Sequence, residues 1–151
     1  MRYFNELALG DIIESGEYLV TREDIISMAK QWDPQPFHID EELAKKGMFG
    51  DVIACTAHIF CILSKLSTDL PEESKLALVS GLGIDKGKLL VPVKPNDTLK
   101  IIIEIIELRR SESKPNWGIT VAQHKLYNQH GQKVFSIDTS ALIDLSKPVS
   151  S

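Results

Sequence analysis

The chain has 151 residues, of which 43% are hydrophobic and 25% charged, and its formal net charge is −4. This length suits one domain with a buried core, and we expect a single domain over residues 1–151. The negative charge argues against nucleic acid as a partner, because phosphate binding needs a basic surface.

The amino terminus and the cysteines indicate a cytoplasmic protein. The stretch MRYFNELALGDIIESG contains acids and lacks the apolar run of a signal peptide. The longest apolar run, near Ala57 to Leu63, is too short to cross a bilayer. Cys55 and Cys61 stand in an apolar context without CxxC spacing, which favours reduced core thiols over a disulfide or a metal site. We therefore expect a cytoplasmic protein that does not enter the membrane.

The chain is predicted to begin with a short strand and a helix. The strand is expected within Ile12 to Val20. Thr21 then stands three residues before Asp24, in a pattern like a capping box at a helix start. This helix must end by Trp32 or Asp33, because the residue before a proline is excluded from the α region.

Two prolines, Pro34 and Pro36, follow the predicted helix. Each fixes φ and lacks a backbone donor, so the segment is predicted to be a stiff, extended loop between two short helices. Asp40 can cap the second helix, EELAKK, and Gly47 can end it.

The rest of the chain is predicted to be one apolar helix followed by four strands. The segment AHIFCILSKL is apolar on nearly every side, so this helix must be surrounded by protein. Strand-forming residues then fill LALVSGLGIDKGKLLVPV, DTLKIIIEIIEL, WGITVAQHKLYNQ and KVFSIDTSALIDL, with turns at VKPND and QHGQK.

These elements predict the α+β hot-dog fold, which is an antiparallel sheet wrapped around one long central helix. A short helical overhang segment precedes that helix. A mixed α+β sandwich with the helix on one face is the alternative. A single curled sheet leaves open edges, so we expect a homo-oligomer, either a dimer or a larger assembly.

Asp33 and His38 are the candidate catalytic residues of the WDPQPFHID segment. A carboxylate and an imidazole are the usual pair for moving a proton near neutral pH. A stiff segment could hold both on one water or substrate atom. The spacing alone also fits a turn between helices in which Asp33 is a cap and His38 has a structural role. Such turns are commoner than catalytic pairs.

The segment DPQPFHIDEELA resembles the signature of the MaoC-like dehydratases and R-specific enoyl-CoA hydratases, a hot-dog family. Asp33, Pro36, Phe37, His38 and Ala44 occupy the signature positions. FGDVIACTAHIF resembles the start of the family's central helix, and GLGIDKGKLLVPVKPNDTL resembles its strand-loop-strand segment. The resemblance covers nearly the whole chain in a consistent order.

The resemblance implies that Asp33 and His38 form a catalytic dyad holding one water. That water would add across the double bond of a trans-2-enoyl thioester to give an (R)-3-hydroxyacyl thioester, or leave in the reverse direction. The thioester would be carried by CoA or by acyl carrier protein, and neither a metal nor an organic cofactor is implied. Which member of the dyad acts as the base stays open, since coupled groups resist such assignment.

The start of the central helix is expected to stabilise charge on the thioester oxygen. Backbone N–H groups around Cys55, Thr56 and Ala57 suit this role, because the first amides of a helix lack intrahelical partners. The family usually has glycine where Thr56 stands. The amide survives this change, whereas the side chain could cap the helix or narrow the acyl pocket.

The substrate-binding candidates are mostly apolar residues near the dyad and lysines on a strand. They are Trp32, Phe37, Ile53 and His58 near the acyl group, with Ile59 and Phe60 as further lining, and Lys86 and Lys88 with Lys94 for CoA phosphates. Each also has an ordinary interpretation, as a core residue or as part of a solvated strand face. No role is assigned to His124 or His130.

Three alternatives accompany this interpretation. A zinc site made of Asp33, His38 and His58 lacks any supporting ligand spacing. A thioesterase on the same fold would need an acid on the central helix, and none lies between Thr56 and Leu66. A non-catalytic acyl-thioester-binding subunit is the third, and the presence of both Asp33 and His38 argues against it.

Overall fold

The computed structural model describes residues 1–146, and its centre is one helix packed against one antiparallel sheet. The strands are β1 Ile12–Glu14, β2 Tyr18–Leu19, β3 Leu78–Leu89, β4 Thr98–Arg110, β5 Trp117–Tyr127 and β6 Lys133–Asp144. The helices are α1 Arg22–Trp32, α2 Pro36–Ile39, α3 Glu41–Lys46 and α4 Thr56–Thr68, after a 3₁₀ turn at Phe4–Glu6.

The strands pair in the order β1-β4-β5-β6-β3, with β2 also paired to β4, and every pair is antiparallel. The last three strands therefore form a meander, and the QHGQK turn joins β5 to β6 as predicted, with Gly131 at φ +72°. Consecutive strands β3 and β4 are not neighbours. The loop containing VKPND carries the chain across the sheet, and Asn96 adopts φ +70° there.

The core lies between α4 and the inner face of the sheet. On β5 every second residue is buried, the alternation expected of a strand with one face packed against the core. Ile62 and Leu66 of α4 meet this face, and Ile101 and Leu126 are completely buried. Each such side chain contributes about 1.5–3 kcal/mol by leaving water. This arrangement is the α+β hot-dog fold.

The helix α4 was predicted to be surrounded by protein on all sides, but one of its faces is exposed. One of its faces is buried, whereas Ala57, Cys61, Ser64 and Lys65 are exposed. The expectation of two core thiols is therefore wrong for Cys61, although Cys55 is buried. Among residues 1–146, none of the helices combines the length and the hydrophobicity that a membrane-spanning segment needs.

The helical overhang segment consists of α1, α2 and α3. Thr21 caps α1 by accepting from the Asp24 N–H at 3.1 Å. Asp40 caps α3 by accepting from the Leu43 N–H at 3.0 Å, and Gly47 follows its last turn. Both caps agree with the sequence prediction.

The extended loop predicted across the two prolines is corrected by the structure. Residues Pro36–Ile39 form the short helix α2. Pro36 stands at its first position, where the missing N–H has no intrahelical partner to lose and the fixed φ suits a helix. His38 is therefore held by a helical turn rather than by an extended segment.

Candidate active site

Asp33 and His38 face each other across the bend between α1 and α2. Asp33 ends α1, and its N–H donates to the Ala29 carbonyl at 2.8 Å. Beyond it, the Gln35 N–H donates back to the Asp33 carbonyl at 2.7 Å. This tight reversal brings Asp33 Oδ2 to 3.6 Å from His38 Nε2. The His38 side chain is 7% exposed and that of Asp33 38%, so the pair opens toward solvent on the carboxylate side.

The other nitrogen of His38 is anchored to the backbone. His38 Nδ1 lies 2.6 Å from the Ile53 carbonyl oxygen, and since a carbonyl only accepts, Nδ1 donates. In the neutral ring the lone pair is then on Nε2, directed at Asp33. A separation of 3.6 Å is too long for a direct hydrogen bond. A water lying to one side of the pair could donate one hydrogen to each acceptor.

The anchor places His38 beside the start of α4. Ile53 stands two residues before Cys55, the N-cap of α4, and the Ala54 N–H donates to the Val93 carbonyl at 2.9 Å. Cys55 makes no side-chain cap, while Thr56 and Ala57 are exposed. The first amides of a helix have no intrahelical partner, so they can donate to an anion.

An ion pair that the sequence analysis missed fixes the segment carrying Ile53. Arg22 Nη1 and Nη2 donate to the two carboxylate oxygens of Asp51, at 2.6 and 2.9 Å. Asp51 also accepts from the Val52 N–H at 2.8 Å. The hydrogen bond from Arg22 lowers the pKa of Asp51 below its usual value, against the effect of burial. Arg22 and Asp51 are far apart in the chain, so no local pattern pointed to their contact.

The apolar residues predicted to bind substrate differ in their surroundings. The Phe37 ring is 4.2 Å from the His38 ring between centroids, and its side chain is exposed. Trp32 is 65% exposed at the end of α1. Ile53 lines a cavity of about 220 Å³ together with Ile59 and residues 89–93. Phe60 is partly buried against the core instead.

His58 is turned toward α1 and β2. It is buried, and it lines a cleft with Tyr18, Asp24, Ser27, Met28 and Gln31 rather than with the dyad. Its Nδ1 has no hydrogen-bond partner in the described part of the chain. Burial lowers the pKa of His58, and the charge of Asp24 opposes that shift.

The two lysines predicted on β3 are exposed along the edge of the sheet. Lys86 Nζ lies 3.7 Å from Asp138 Oδ2 on β6, and Lys88 stands opposite Ser136 in the strand register. Lys86 has φ +53° where the register shifts. In residues 1–146, no three histidine, cysteine or acidic side chains converge as metal ligands.

Known proteins resemble this chain over most of its length. Residues 9–125 match the family model described as MaoC like domain. The uncharacterised Bacillus subtilis (strain 168) protein YdeM is 30% identical over 141 residues, covering 92% of this chain and 96% of that protein.

Two solved structures share the fold. A MaoC-like dehydratase from Rhodospirillum rubrum has a TM-score of 0.87 at 28% identity, covering 99% of this chain and 100% of that one. An R-hydratase from Pseudomonas aeruginosa has a TM-score of 0.71 at 23% identity, covering 99% of this chain and 96% of that one. With the family match spanning most of its length, the chain belongs to the MaoC-like domain family.

Proposed function

We propose that this protein is a hydro-lyase that interconverts trans-2-enoyl and (R)-3-hydroxyacyl thioesters. The observation that carries the proposal is the gap of 3.6 Å between Asp33 Oδ2 and His38 Nε2, beside the first amides of α4. The similarity to the Rhodospirillum rubrum MaoC-like dehydratase supports the same reaction class. The thioester is carried by CoA or by acyl carrier protein.

In the proposed reaction, a water beside the pair lies within hydrogen-bonding distance of both acceptors. Its oxygen attacks C3 of the enoyl thioester, and one of its protons passes to Asp33 or to His38 Nε2. A proton returns to C2, so the carbon–carbon π bond is replaced by a C3–O bond and a C2–H bond. His38 can change its charge without moving, because Nδ1 keeps its hydrogen bond to Ile53 in both states.

The amides that open α4 are proposed to hold the thioester oxygen. As C3 is attacked, negative charge moves to this oxygen, and preorganised N–H groups stabilise such charge strongly in a site shielded from water. The candidates are the amides of Thr56 and Ala57, two exposed residues that follow Cys55. No metal or organic cofactor is needed in this scheme.

The decisive experiment is hydration of crotonyl-CoA by the purified protein, followed by loss of the enoyl absorbance and by product chirality. Asp33→Asn and His38→Ala should each lower kcat/KM by at least about 100-fold, since positioned acid–base groups contribute ~10²–10⁴. His130→Gln changes an exposed histidine and should leave activity unchanged. Undiminished hydration by either dyad variant would remove the dyad from the mechanism.

A parallel thiol assay separates the proposal from a thioesterase. Release of free CoA without formation of a 3-hydroxyacyl product would assign the protein to that class. The helix α4 contains no acidic residue, although a hot-dog thioesterase would be expected to carry one there.

We also propose that the protein is a homodimer joined through β3. All twelve residues of β3 are exposed, including Leu78, Leu82, Ile84 and Leu89. A long, apolar edge strand invites pairing with another chain. Antiparallel pairing of two β3 strands about a twofold axis would bury the same patch on both copies.

The dimer is tested by sedimentation of the wild type and two variants. Ile84→Lys should shift the protein to monomer by placing a charge in the proposed contact. Ile106→Lys changes a side chain that is 40% exposed on β4 and should leave the oligomer intact. A monomeric wild type would overturn the proposal.

A further inference from the structure

One peptide group joins the dyad to the loop that follows β3. Its carbonyl is that of Ile53, which accepts from His38 Nδ1 at 2.6 Å. Its N–H is that of Ala54, which donates to the Val93 carbonyl at 2.9 Å. Ala54 and Val93 are both buried, and hydrogen bonds that form a chain away from water strengthen one another. The position of Val93 therefore helps to fix the acceptor that orients the His38 ring.

A buried carboxylate holds this loop, residues 92–97, in place. Asp97 is 9% exposed, and its Oδ2 accepts from the Lys94 N–H at 2.9 Å. Its Oδ1 accepts from Gln129 Nε2 at 2.9 Å, which ties the loop to the turn between β5 and β6. The Asp97 carbonyl accepts from the Val20 N–H at 2.8 Å, just before the cap of α1. Asp97 thus joins the loop to both neighbouring segments.

This network needs an acceptor at each carboxylate oxygen of Asp97. The partner of Oδ2 is the backbone N–H of Lys94, which can only donate. The orientation of the Gln129 amide is fixed as well, because its Oε1 accepts from the Thr98 N–H at 2.9 Å and its Nε2 must then donate to Oδ1. Among side chains of this length, only that of aspartate accepts at both positions, since asparagine would present a donor at one of them.

We propose that Asp97 is a positioning residue for His38, acting through the loop and through the peptide group between Ile53 and Ala54. With the loop in place, the ring carries its proton on Nδ1, and the lone pair on Nε2 faces Asp33. When the loop loosens, the Ile53 carbonyl shifts and the ring also populates the tautomer protonated at Nε2, which cannot take a proton from water there. The effect on turnover rests on the proposed function, whereas the tautomer of His38 can be measured without substrate.

The tautomer is tested by ¹⁵N NMR of the histidine side chains in the free protein at about pH 8.5, where an ordinary imidazole is neutral. The wild type should show the Nδ1 and Nε2 resonances of His38 in a single tautomer protonated at Nδ1. Asp97→Asn leaves one donor unpaired, so the two resonances should move toward each other. Gln129→Leu changes an exposed residue, removes only the bond at Oδ1 of Asp97 and should cause a smaller shift in the same direction. Glu104→Gln is the matched acid-to-amide control, which breaks a pair with Lys125 on the sheet and should leave the His38 resonances unchanged.

Kinetics then test the role of Asp97 in turnover. Asp97→Asn should lower kcat for crotonyl-CoA roughly ten- to a hundredfold at nearly unchanged KM, because a misplacement of about 1 Å can cost about 100-fold while the contacts that bind the substrate remain. Glu104→Gln should leave both constants unchanged.

Three results would overturn the proposal. They are unchanged His38 resonances in folded Asp97→Asn, an equal shift in Glu104→Gln, and full kcat in Asp97→Asn despite shifted resonances. If Asp97→Asn does not fold, the resonances and kcat of Gln129→Leu decide in the same way. If the wild type does not hydrate crotonyl-CoA, the proposed function fails, and the resonances still decide whether Asp97 positions His38.

Discussion

Gly118 on β5 is the position where one added methyl group should do most damage. A Cβ built on Gly118 would lie 2.0 Å from Phe4 Cδ2 and 2.3 Å from both Cε2 and Cγ. Real Cβ atoms essentially never approach another atom within 3.0 Å, so the Phe4 ring must move. Phe4 is buried in a small cluster with Ala77 and Ile143, and it has little room to do so.

The expected cost follows from what the ring loses. If the Phe4 ring shifts but stays partly packed, the overpacked core loses about 1–3 kcal/mol of stability. Expulsion from the cluster approaches the roughly 3–5 kcal/mol of a buried Phe→Ala change. We therefore expect Gly118→Ala to lower the free energy of unfolding by about 2–4 kcal/mol. Urea titration measures this as a lower midpoint at unchanged slope.

A double-mutant cycle isolates the clash with Phe4. In a Phe4→Ala background, Gly118→Ala should cost less than about 1 kcal/mol, because alanine is otherwise favoured over glycine in a strand. Gly87→Ala on β3 is the matched control, since its Cβ would lie 3.7 Å from Ile137, an ordinary contact. An equal loss in both backgrounds would show that the close approach of Phe4 is not the cause.

Three further predictions concern buried or paired polar groups. First, the folded pKa of His124, about 4, lies below the ~6.5 of the unfolded chain, so the unfolded state takes up the proton first as pH falls. Stability should therefore be lost between about pH 6.5 and pH 4, by up to about 3 kcal/mol, and urea midpoints across this window should flatten in His124→Gln but not in His130→Gln. Second, Asp51→Asn should weaken the bidentate pair with Arg22, loosen the Ile53 carbonyl and lower kcat/KM for crotonyl-CoA by roughly tenfold. Glu41→Gln removes a single exposed contact to Arg22 and should change the free energy of unfolding by less than about 0.5 kcal/mol. If Glu41→Gln lowered kcat/KM as much as Asp51→Asn, the role of Asp51 in positioning the Ile53 carbonyl would be contradicted. Third, Asn128 Oδ1 accepts from the His130 and Gln132 N–H groups, so Asn128→Ala should cost about 1–3 kcal/mol in chemical unfolding. Asn128→Asp keeps the acceptor and should cost less, and the reverse order would show that the hydrogen bonds at Oδ1 are not what matters.

Local patterns were sufficient for most of the secondary structure. Thr21 and Asp40 were identified as caps because a helix start needs an acceptor within three residues. The four long strands could be located because they are rich in aliphatic residues at strand spacing, where side chains two positions apart lie on the same face. The resemblance to a known signature was what raised Asp33 and His38 above an ordinary turn.

Contacts between distant segments could not be predicted in this way. Spacing did not reveal that Pro36 starts a helix, that the Ile53 carbonyl anchors His38, or that Arg22 meets Asp51. Each depends on how separately formed elements pack, which local propensity does not determine.

The chain's own pattern thus determined its elements, their caps and a pair of residues able to share a proton. Tertiary packing alone decided that β3 lies at the edge, far from β4, and that Phe4 rests on Gly118. It also decided which histidines are buried beside a cavity. His124 lines one, and nothing in the strand sequence around it indicates this. The physical reason is range, because periodicity and capping act over a few residues, whereas burial and pairing join residues that only the folded chain brings together.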